Sequence, residues 1–311
     1  FPPGISLEKV IREKDGLSHP SVRVVGVGKE MTFVGTDRSL TVIRNDGKIS
    51  VWNTDNSPLK YQRVPALVVR GSELWTTSRN PVSGGGTVRW DGLQWQIFEE
   101  IKDDMQSNYV SCFHVDDKNR LWLGTDDQGV NSYDFETNPF KKFGYLATKK
   151  GLIDMRVTSM GSRAGELWVG TLGGISVYRG RDGEKYLFTN YSRANGLPAE
   201  TVTSLAVGPD RAYAGCSTGL MVFDGQAWKM LTPAEGLADT WVQALAMDGK
   251  NLWIGNKKGL QLYSEGRFFP PIGLADGFPS NRIQCLTVNR VGTSARIYVG
   301  TDQGLVILQS N

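Results

Sequence analysis

The sequence predicts an all-β protein, a seven-bladed β-propeller with four antiparallel strands in each blade. Two observations support this prediction: a short hairpin motif recurs seven times along the chain, and an apolar strand precedes each copy. The period of about 40 to 47 residues is typical of a unit built from four short strands. Because one repeat series fills the chain, we expect a single domain over residues 1–311.

The first strand of each unit is apolar or small on both of its faces. A strand of this kind is buried on both sides, as the innermost strand of a sheet packed between two neighbouring sheets would be. We therefore place these strands around the centre of the ring. They are predicted to begin at Val22, Val64, Val110, Val157, Val202, Val242 and Ile283.

The second strand and the turn after it form the recurring hairpin. The seven copies begin at Met31, Glu73, Arg120, Glu166, Arg211, Asn251 and Arg296. Those at Glu166, Asn251 and Arg296 read ELWVGT, NLWIGN and RIYVGT. The turn is predicted to be a short type I turn that is closed by a glycine in the left-handed region, which glycine enters without steric strain. The predicted turn glycines are Gly174, Gly219, Gly259 and Gly304.

The third strand ends in an aromatic residue and often in an Asp-Gly turn, as at Asp91-Gly92 and Asp224-Gly225. Asp-Gly between alternating apolar runs is a strong hairpin signal, so an outer fourth strand should follow, such as QWQIF or AWKML. Each unit is therefore a four-stranded antiparallel meander.

Seven meanders bury both faces of every sheet only if they pack face to face in a ring. The last unit supplies three strands, whereas the chain opens with a lone outer-type strand within ISLEKVIREKDGL. We therefore expect this N-terminal strand to pair with the strand beginning at Gly304. That pairing would complete the last blade and remove two open sheet edges.

Across these residues the chain resembles the two-component-regulator propeller repeat. Its pattern is a Gly-Leu loop, a Val-led strand, a short turn, then Leu-Trp-x-Gly-Thr and Gly-Leu, and it is strongest here from Gly151 to Leu308. The second unit departs from it with LWTTS and an inserted loop at residues 79–87, and the outer loops NSPLKYQ and KDDMQSN lack Gly-Leu. The resemblance implies an extracytoplasmic ligand-sensing or interaction domain, attached in some members to a histidine kinase.

Composition excludes several classes of partner. The formal charge of +3 is small and the Lys and Arg residues are scattered, so we expect no nucleic-acid partner. No apolar run approaches the ~18 residues of a membrane-spanning helix. The chain begins with FPPG, so we expect a processed form from which any export signal has been removed. We expect a monomer, and the resemblance implies a periplasmic or extracellular location.

Residues for catalysis or metal binding are scarce. The two histidines, His19 and His114, are far apart in sequence, and His114 falls inside an innermost strand, where a core histidine is expected. The acidic stretches at residues 116–119 and 126–129 are interpreted as turns, because the spacing of a calcium loop is missing. The cysteines Cys112, Cys216 and Cys285 lie in separate units and are interpreted as packing residues. We therefore expect no catalytic residue, no metal and no cofactor.

A column of residues immediately before the innermost strands is the main candidate for a binding site. In a propeller these positions surround one mouth of the central channel, on the face that carries the tips of the recurring hairpins. Guanidinium groups bind carboxylates, phosphates or sulfates, and aromatic faces stack on sugars or other rings. The predicted ligand-binding residues are Arg63, Tyr109, Arg156, Trp241 and Arg282. We expect part of the counter-charge from Asp37, Asp126 and Asp302.

Three functions remain open from the sequence. The first is a non-enzymatic recognition or sensing module that binds a small or polymeric ligand, such as an anionic saccharide, at the channel mouth. The second is a protein interaction scaffold that docks a partner on this face and on the glycine-rich insertion Ser83 to Gly86. The third is a lyase or hydrolase that uses channel carboxylates. A deep positively charged pocket favours the first function, and a broad exposed apolar patch favours the second.

Overall fold

Seven antiparallel sheets of four strands each follow one another around a ring, so the predicted propeller is confirmed. The computed structural model describes residues 1–80, 82–100, 103, 105–133 and 144–310. The innermost strand of each sheet contacts the innermost strands of the two neighbouring sheets, including those of the first and last blades. The core is divided into clusters that each lie between adjacent blades.

The strands are numbered in chain order, beginning with the strand that closes the ring, β1 (Ile5–Ile11). Blades 1 and 2 contain β2 (Val22–Val27), β3 (Met31–Thr36), β4 (Leu40–Arg44), β5 (Ile49–Trp52), β6 (Ala66–Arg70), β7 (Glu73–Asn80), β8 (Gly84–Trp90) and β9 (Trp95–Phe98). Blades 3 and 4 contain β10 (Val110–Val115), β11 (Leu121–Thr125), β12 (Val130–Tyr133), β13 (Gly144–Leu146), β14 (Val157–Arg163), β15 (Glu166–Thr171), β16 (Gly174–Asp182) and β17 (Lys185–Tyr191). Blades 5 and 6 contain β18 (Ser204–Val207), β19 (Ala212–Gly215), β20 (Leu220–Phe223), β21 (Trp228–Leu231), β22 (Ala244–Asp248), β23 (Asn251–Asn256), β24 (Gly259–Ser264) and β25 (Arg267–Phe268). Blade 7 contains β26 (Ile283–Val291), β27 (Ser294–Thr301), β28 (Gly304–Ser310) and β1.

The N-terminal strand closes the ring as predicted. β1 pairs antiparallel with β28, from Ile5 opposite Ser310 to Ile11 opposite Leu305. Ile11 is buried, and Leu7 and Val10 pack against the core of blade 7. The first and last strands of the chain therefore share one sheet.

Three innermost strands begin two residues later than predicted, at Ala66, Ser204 and Ala244. The predicted first residues of these strands are nevertheless buried, and each donates its backbone N–H to the end of the second strand of the preceding blade, as Val64 does to the Thr36 carbonyl at 2.9 Å. In blades 1, 3, 4 and 7 a β-bulge at the same place keeps the first residue in the ladder. The two-residue difference between the predicted and observed strand starts therefore reflects where backbone pairing with the second strand begins.

The glycine of the second strand marks a recurring close approach between blades. A Cβ atom on Gly255 would lie 2.5 Å from Ile283 Cγ2 of the next blade, and one on Gly170 would lie 2.7 Å from Val202 Cγ1. The same contact occurs between the last and first blades, where a Cβ on Gly300 would lie 2.6 Å from Val22 Cγ1. Blade 2 has Thr77 at this register position. The motif glycine is thus required by packing between blades.

The turn glycines have positive φ as predicted, from 128° at Gly259 to 155° at Gly219. A second constraint acts on them, because a Cβ on Gly174 would lie 2.3 Å from the Tyr191 carbonyl oxygen at the end of the outer strand.

The inserted segment of blade 2 differs from the prediction. It extends strands β7 and β8 into a longer hairpin, and Gly84, Gly85 and Gly86 are buried. Pro81 lies outside the described residues.

Outer loops with the Gly-Leu pattern form one recurring structure. Each contains a three-residue 3₁₀ helix, and no α-helix occurs in the described ranges. A glycine with positive φ and a buried Leu or Phe follow each helix. The helices are η1 (Glu13–Asp15), η2 (Thr148–Lys150), η3 (Arg193–Asn195), η4 (Pro233–Glu235) and η5 (Leu274–Asp276). Leu59 and Met105 are the buried apolar residues of the two loops that lack this pattern.

Deleting residues 1–15 removes β1 and leaves β28 as an unpaired edge. We expect the free energy of unfolding to fall by at least about 3 kcal/mol, because several core side chains are lost together. Chemical denaturation measures the change, and deletion of residues 1–4, which precede β1, is the control. Equal stability of the two truncated chains would show that ring closure contributes little.

Gly255→Ala places a methyl group against the β-branched Ile283 of the next blade. We expect a loss of about 1–3 kcal/mol, the usual cost of overpacking. Gly86→Ala is the matched control, because a Cβ there meets no atom within 4 Å. Equal melting temperatures for the two variants would contradict the packing requirement.

Candidate functional site

A cavity of about 380 Å³ opens at the channel mouth, on the face that carries the recurring hairpin tips. Blades 6, 7, 1 and 2, which are consecutive around the ring, supply its walls. Three of the five predicted binding residues, Arg63, Trp241 and Arg282, line it. The other lining residues are Arg23, Pro65, Gln243, Lys257, Ile283 and Gln284.

The two remaining predicted residues belong to blades 3 and 4 and do not line this cavity. Arg156 makes a two-pronged ion pair with Asp154, with Nε to Oδ1 at 3.0 Å and Nη2 to Oδ2 at 2.7 Å. This pair raises the pKa of Arg156 and lowers that of Asp154. The Tyr109 hydroxyl donates to the Val82 carbonyl at 3.2 Å. A binding role for Arg156 and Tyr109 stays a prediction.

Asp37 neutralises part of the positive charge at the mouth. Arg23 holds it with Nε to Oδ1 at 2.8 Å and Nη2 to Oδ2 at 2.6 Å, while Arg63 Nε lies 3.2 Å from Oδ1. Burial alone would raise the pKa of Asp37, but the hydrogen bond and charge of Arg23 outweigh it and hold the pKa below its usual value. The carboxylate therefore stays ionised and orients both guanidinium groups.

The other two cations at the mouth have no carboxylate partner among the described residues. Neither Arg282 nor Lys257 makes an ion pair there. Lys257 Nζ lies 4.9 Å from the centroid of the Trp241 ring, a cation–π distance. Four cationic side chains thus line the cavity, and Asp37 pairs with two of them, which leaves an excess of positive charge that favours an anionic ligand.

Trp241 supplies an accessible aromatic surface at the same mouth. It is 37% exposed, and its Nε1–H donates to Gln243 Oε1 at 3.0 Å. The other lining amide, Gln284, accepts a hydrogen bond from Ser21 Oγ at 3.2 Å. An indole face beside amides and guanidinium groups suits a ring that carries both hydroxyl and acidic groups.

Arg23, Gln243, Gln284 and Lys257 were not predicted. The first three occupy the second position of the predicted first strand, two residues beyond the predicted column. That position is never aliphatic apart from proline, and it reads Arg23, Pro65, Ser111, Thr158, Thr203, Gln243 and Gln284. This polarity inside an otherwise apolar strand was the available sequence signal.

The predicted counter-charges have different surroundings. Asp37 lies between two arginines of the mouth, as described above. Asp126 pairs instead with Arg79, Nη2 to Oδ2 at 2.5 Å. Asp302 has one buried carboxylate oxygen without a hydrogen bond among the described residues.

The remaining candidates for chemistry have structural surroundings. Asp116 accepts hydrogen bonds from the backbone N–H of Lys118 and Arg120 and from Trp122 Nε1, which organises the turn at 116–119. Burial raises the pKa values of the Cys112 and Cys285 thiols to about 12, so these thiols stay protonated. Within the described ranges no group of three or more His, Cys, Asp or Glu side chains could hold a metal ion.

His114 is partly buried on its innermost strand, with Nε2 2.8 Å from Ser162 Oγ. Burial lowers its pKa from 6.5 to about 4, so the folded state holds the neutral ring. Its contribution to stability is present above pH 6.5 and is lost as the pH falls from there towards 4, because the unfolded chain binds the proton more readily.

His114→Gln should therefore lose less stability than the unchanged protein when the pH is lowered across this window. Thermal melts along a pH series measure the effect. His19→Gln is the control, since it removes the other histidine and keeps the contribution of His114. Parallel pH profiles for His114→Gln and the unchanged protein would contradict this account.

Comparison with protein families gives one match. Residues 104–127 match the family model described as "Two component regulator propeller". The match falls at blade 3, outside the stretch from Gly151 to Leu308 where the sequence pattern is strongest. The comparison with curated proteins finds no match.

Solved structures of similar shape cover almost the whole chain. One is the extracellular domain of the putative hybrid two component system BT3049 from B. thetaiotaomicron, with TM-score 0.74 and 19% identity over 99% of this chain and 41% of that one. Another is PorZ, a surface component of the type-IX secretion system of Porphyromonas gingivalis, with TM-score 0.66 and 14% identity over 98% of this chain and 38% of that one. The chain thus spans about two fifths of the length of these two proteins.

A third similar structure is a streptogramin B lyase, with TM-score 0.70 and 9% identity over 99% of this chain and 98% of that one. At these identities the likeness shows the fold. In this chain, no helix of the described part is long and apolar enough to cross a membrane. The family match and the ring of seven blades agree with the resemblance drawn from the sequence, and the chain is a seven-bladed β-propeller in which residues 104–127 match the two-component-regulator propeller repeat.

Proposed function

We propose that this chain is a non-enzymatic recognition module that binds an anionic ligand at the channel mouth. One observation carries the proposal: four cationic side chains line a single cavity, and only two of them, Arg23 and Arg63, are paired with a described carboxylate, Asp37. Arg282 and Lys257, which have no ion-pair partner among the described residues, are the groups available to the ligand. Trp241 and the two glutamines extend the choice to an acidic sugar, whose ring can stack while its carboxylate or sulfate pairs with arginine.

A sensing role outside the cytoplasm is part of the same proposal. It is supported by the description of the similar BT3049 structure as the extracellular domain of a putative hybrid two component system. Catalysis at the mouth has less support, although one similar structure is a lyase. The mouth carboxylate, Asp37, has a lowered pKa and two arginine partners, which makes it a weak proton acceptor.

A protein interaction scaffold is the second candidate function. Leu93 and Ile97 favour it, because these apolar side chains of blade 2 are 92% and 54% exposed. Gly84, Gly85 and Gly86 of the insertion are buried and offer little surface to a partner. The charged cavity makes ligand binding the leading function.

Calorimetric titration with glucuronate, glucose 6-phosphate and neutral glucose tests ligand binding. We expect the two anions to bind and their affinity to fall as salt is raised, because exposed charges are screened. Arg282→Ala should weaken binding at least about tenfold, as loss of one charge-assisted hydrogen bond predicts. Its melting temperature should be unchanged, since Arg282 makes no side-chain ion pair among the described residues.

Arg156→Ala is the matched control, because it removes an arginine of the same predicted column that lies outside the cavity. We expect it to retain full affinity. Equal weakening by both variants would extend the site to blade 4. If no anion binds the unchanged protein, the recognition function is wrong and the scaffold function leads.

A further inference from the structure

A second cavity lies on the opposite face of the ring, between blades 1 and 2. Its volume is about 370 Å³. The loops between the first two strands of both blades surround it, together with the turn between the last two strands of blade 2. Its lining residues are Gly28, Lys29, Glu30, Met31, Phe33, Gly71, Ser72, Trp90 and Gly92. None of the residues of the channel mouth belongs to it.

Two local changes in the repeat explain why this interface is open. At the contact between blades 4 and 5, Trp168 packs against Phe223 and Trp228, and the Arg163 guanidinium covers it at 4.9 Å from the ring centroid. In blade 1 the corresponding residues are the smaller Phe33 and Gly28. The phenyl group of Phe33 is smaller than an indole, and Gly28 has no side chain to cover it. Together these changes leave space beside Phe33.

The same pair of changes recurs in blade 5. Gly208 and Tyr213 take the two positions, and a cavity of about 460 Å³ lies between blades 5 and 6. Gly28 and Gly208 make the same backbone hydrogen bond, each donating at 2.8 Å to the carbonyl three residues later. The blade 5–6 cavity has four charged side chains on its wall, Asp210, Arg211, Lys250 and Glu265, whereas the blade 1–2 cavity has two. The two cavities therefore arise at the same position of the repeat, but the wall of the blade 5–6 cavity is the more highly charged.

Tryptophan rings make the blade 1–2 cavity distinct. Trp90 lines it and is only partly buried, and its ring centroid lies 6.1 Å from that of Phe33 in an edge-on arrangement. Trp52 supports Trp90 from behind at 5.1 Å, and Trp95 contacts Trp52 at 5.2 Å. The wall available to a ligand is thus a fixed aromatic surface with the flexible thioether of Met31 beside it.

The entrance to this cavity is unobstructed and electrically balanced. A Cβ atom on Gly71 or Gly92 would meet no atom within 4 Å. Lys29 and Glu30 are exposed on the rim, and neither forms an ion pair among the described residues. One cation and one carboxylate on the rim give no net preference for a charged ligand, because its attraction to one group is offset by repulsion from the other, whereas a neutral or zwitterionic ligand can contact both.

We propose that the blade 1–2 cavity binds a compact aromatic ligand that carries no net charge. Lys29, Glu30 and Ser72 are exposed, whereas Met31, Phe33 and Trp90 supply an apolar and aromatic wall, which disfavours a hydroxyl-rich sugar there. An apolar cavity of about 150 Å³ already accepts a benzene ring, so this larger volume accommodates one or two fused rings with their substituents. The ring packs against Trp90 and Phe33, and its polar or zwitterionic end faces Lys29 and Glu30.

Two-dimensional NMR of the ¹⁵N-labelled protein tests the proposal by reading the nine tryptophan indole N–H signals. Benzyl alcohol and L-phenylalanine are the ring-bearing probes, and L-alanine is the control without a ring. We expect both ring-bearing probes to shift the Trp90 signal, identified by its loss in Trp90→Phe. The Trp241 signal at the channel mouth should stay in place.

The matched variants are Phe33→Trp and Tyr213→Trp. Each introduces the tryptophan that blades 2, 3, 4 and 6 have at the same position of the hairpin motif. We expect Phe33→Trp to weaken probe binding at least about tenfold by filling the cavity, and Tyr213→Trp to leave it unchanged. If Phe33→Trp does not fold, Trp90→Leu replaces it, with the same weakening expected from loss of the aromatic wall.

The proposal is overturned by any of three results. They are the absence of a Trp90 shift with both ring-bearing probes, a shift of equal size with L-alanine, and undiminished binding in a folded Phe33→Trp variant.

Discussion

The close approach of neighbouring blades at the glycine of the second strand is the constraint on which the ring depends. Six blades place this glycine against the first residue of the next blade's innermost strand, at distances that no side chain tolerates. The glycine allows neighbouring sheets to approach closely at this register. Closure of the ring then brings residues that are more than 200 positions apart in sequence, such as Arg23 and Arg282, onto one cavity.

Most of the fold was predictable, because the information is local and repeated seven times. The period, the alternation of the strands and the turn glycines each act within a few residues, and the lone N-terminal strand could be matched to a blade lacking one strand. The start of β6, β18 and β22 was misplaced by two residues, since pairing at a bulge depends on the partner strand. The insertion in blade 2 was interpreted as a loop because glycine-rich sequence rarely forms strands.

The channel mouth was only partly predictable. Of the five residues predicted from the column before the innermost strands, Arg63, Trp241 and Arg282 line one cavity, whereas Tyr109 and Arg156 do not. Whether an arginine is available depends on its neighbours, however, and the sequence does not show that Asp154 lies beside Arg156 while Arg282 stays without a partner. The cavity between blades 1 and 2 was not foreseen, since Gly28 and Phe33, which replace a larger Arg and Trp of blade 4, leave space only where blade 2 packs against blade 1.

Pairing of β1 with β28 has a consequence for folding. The contacts that complete blade 7 join residues about 300 positions apart, so they form only after almost the entire chain has been synthesised. Blades 1 to 6 each contain their own four strands and can assemble from contacts within about 50 residues. The N-terminal segment must therefore wait with its apolar side chains exposed while six blades form. During this interval the chain is most open to aggregation or to exchange of β1 between two molecules.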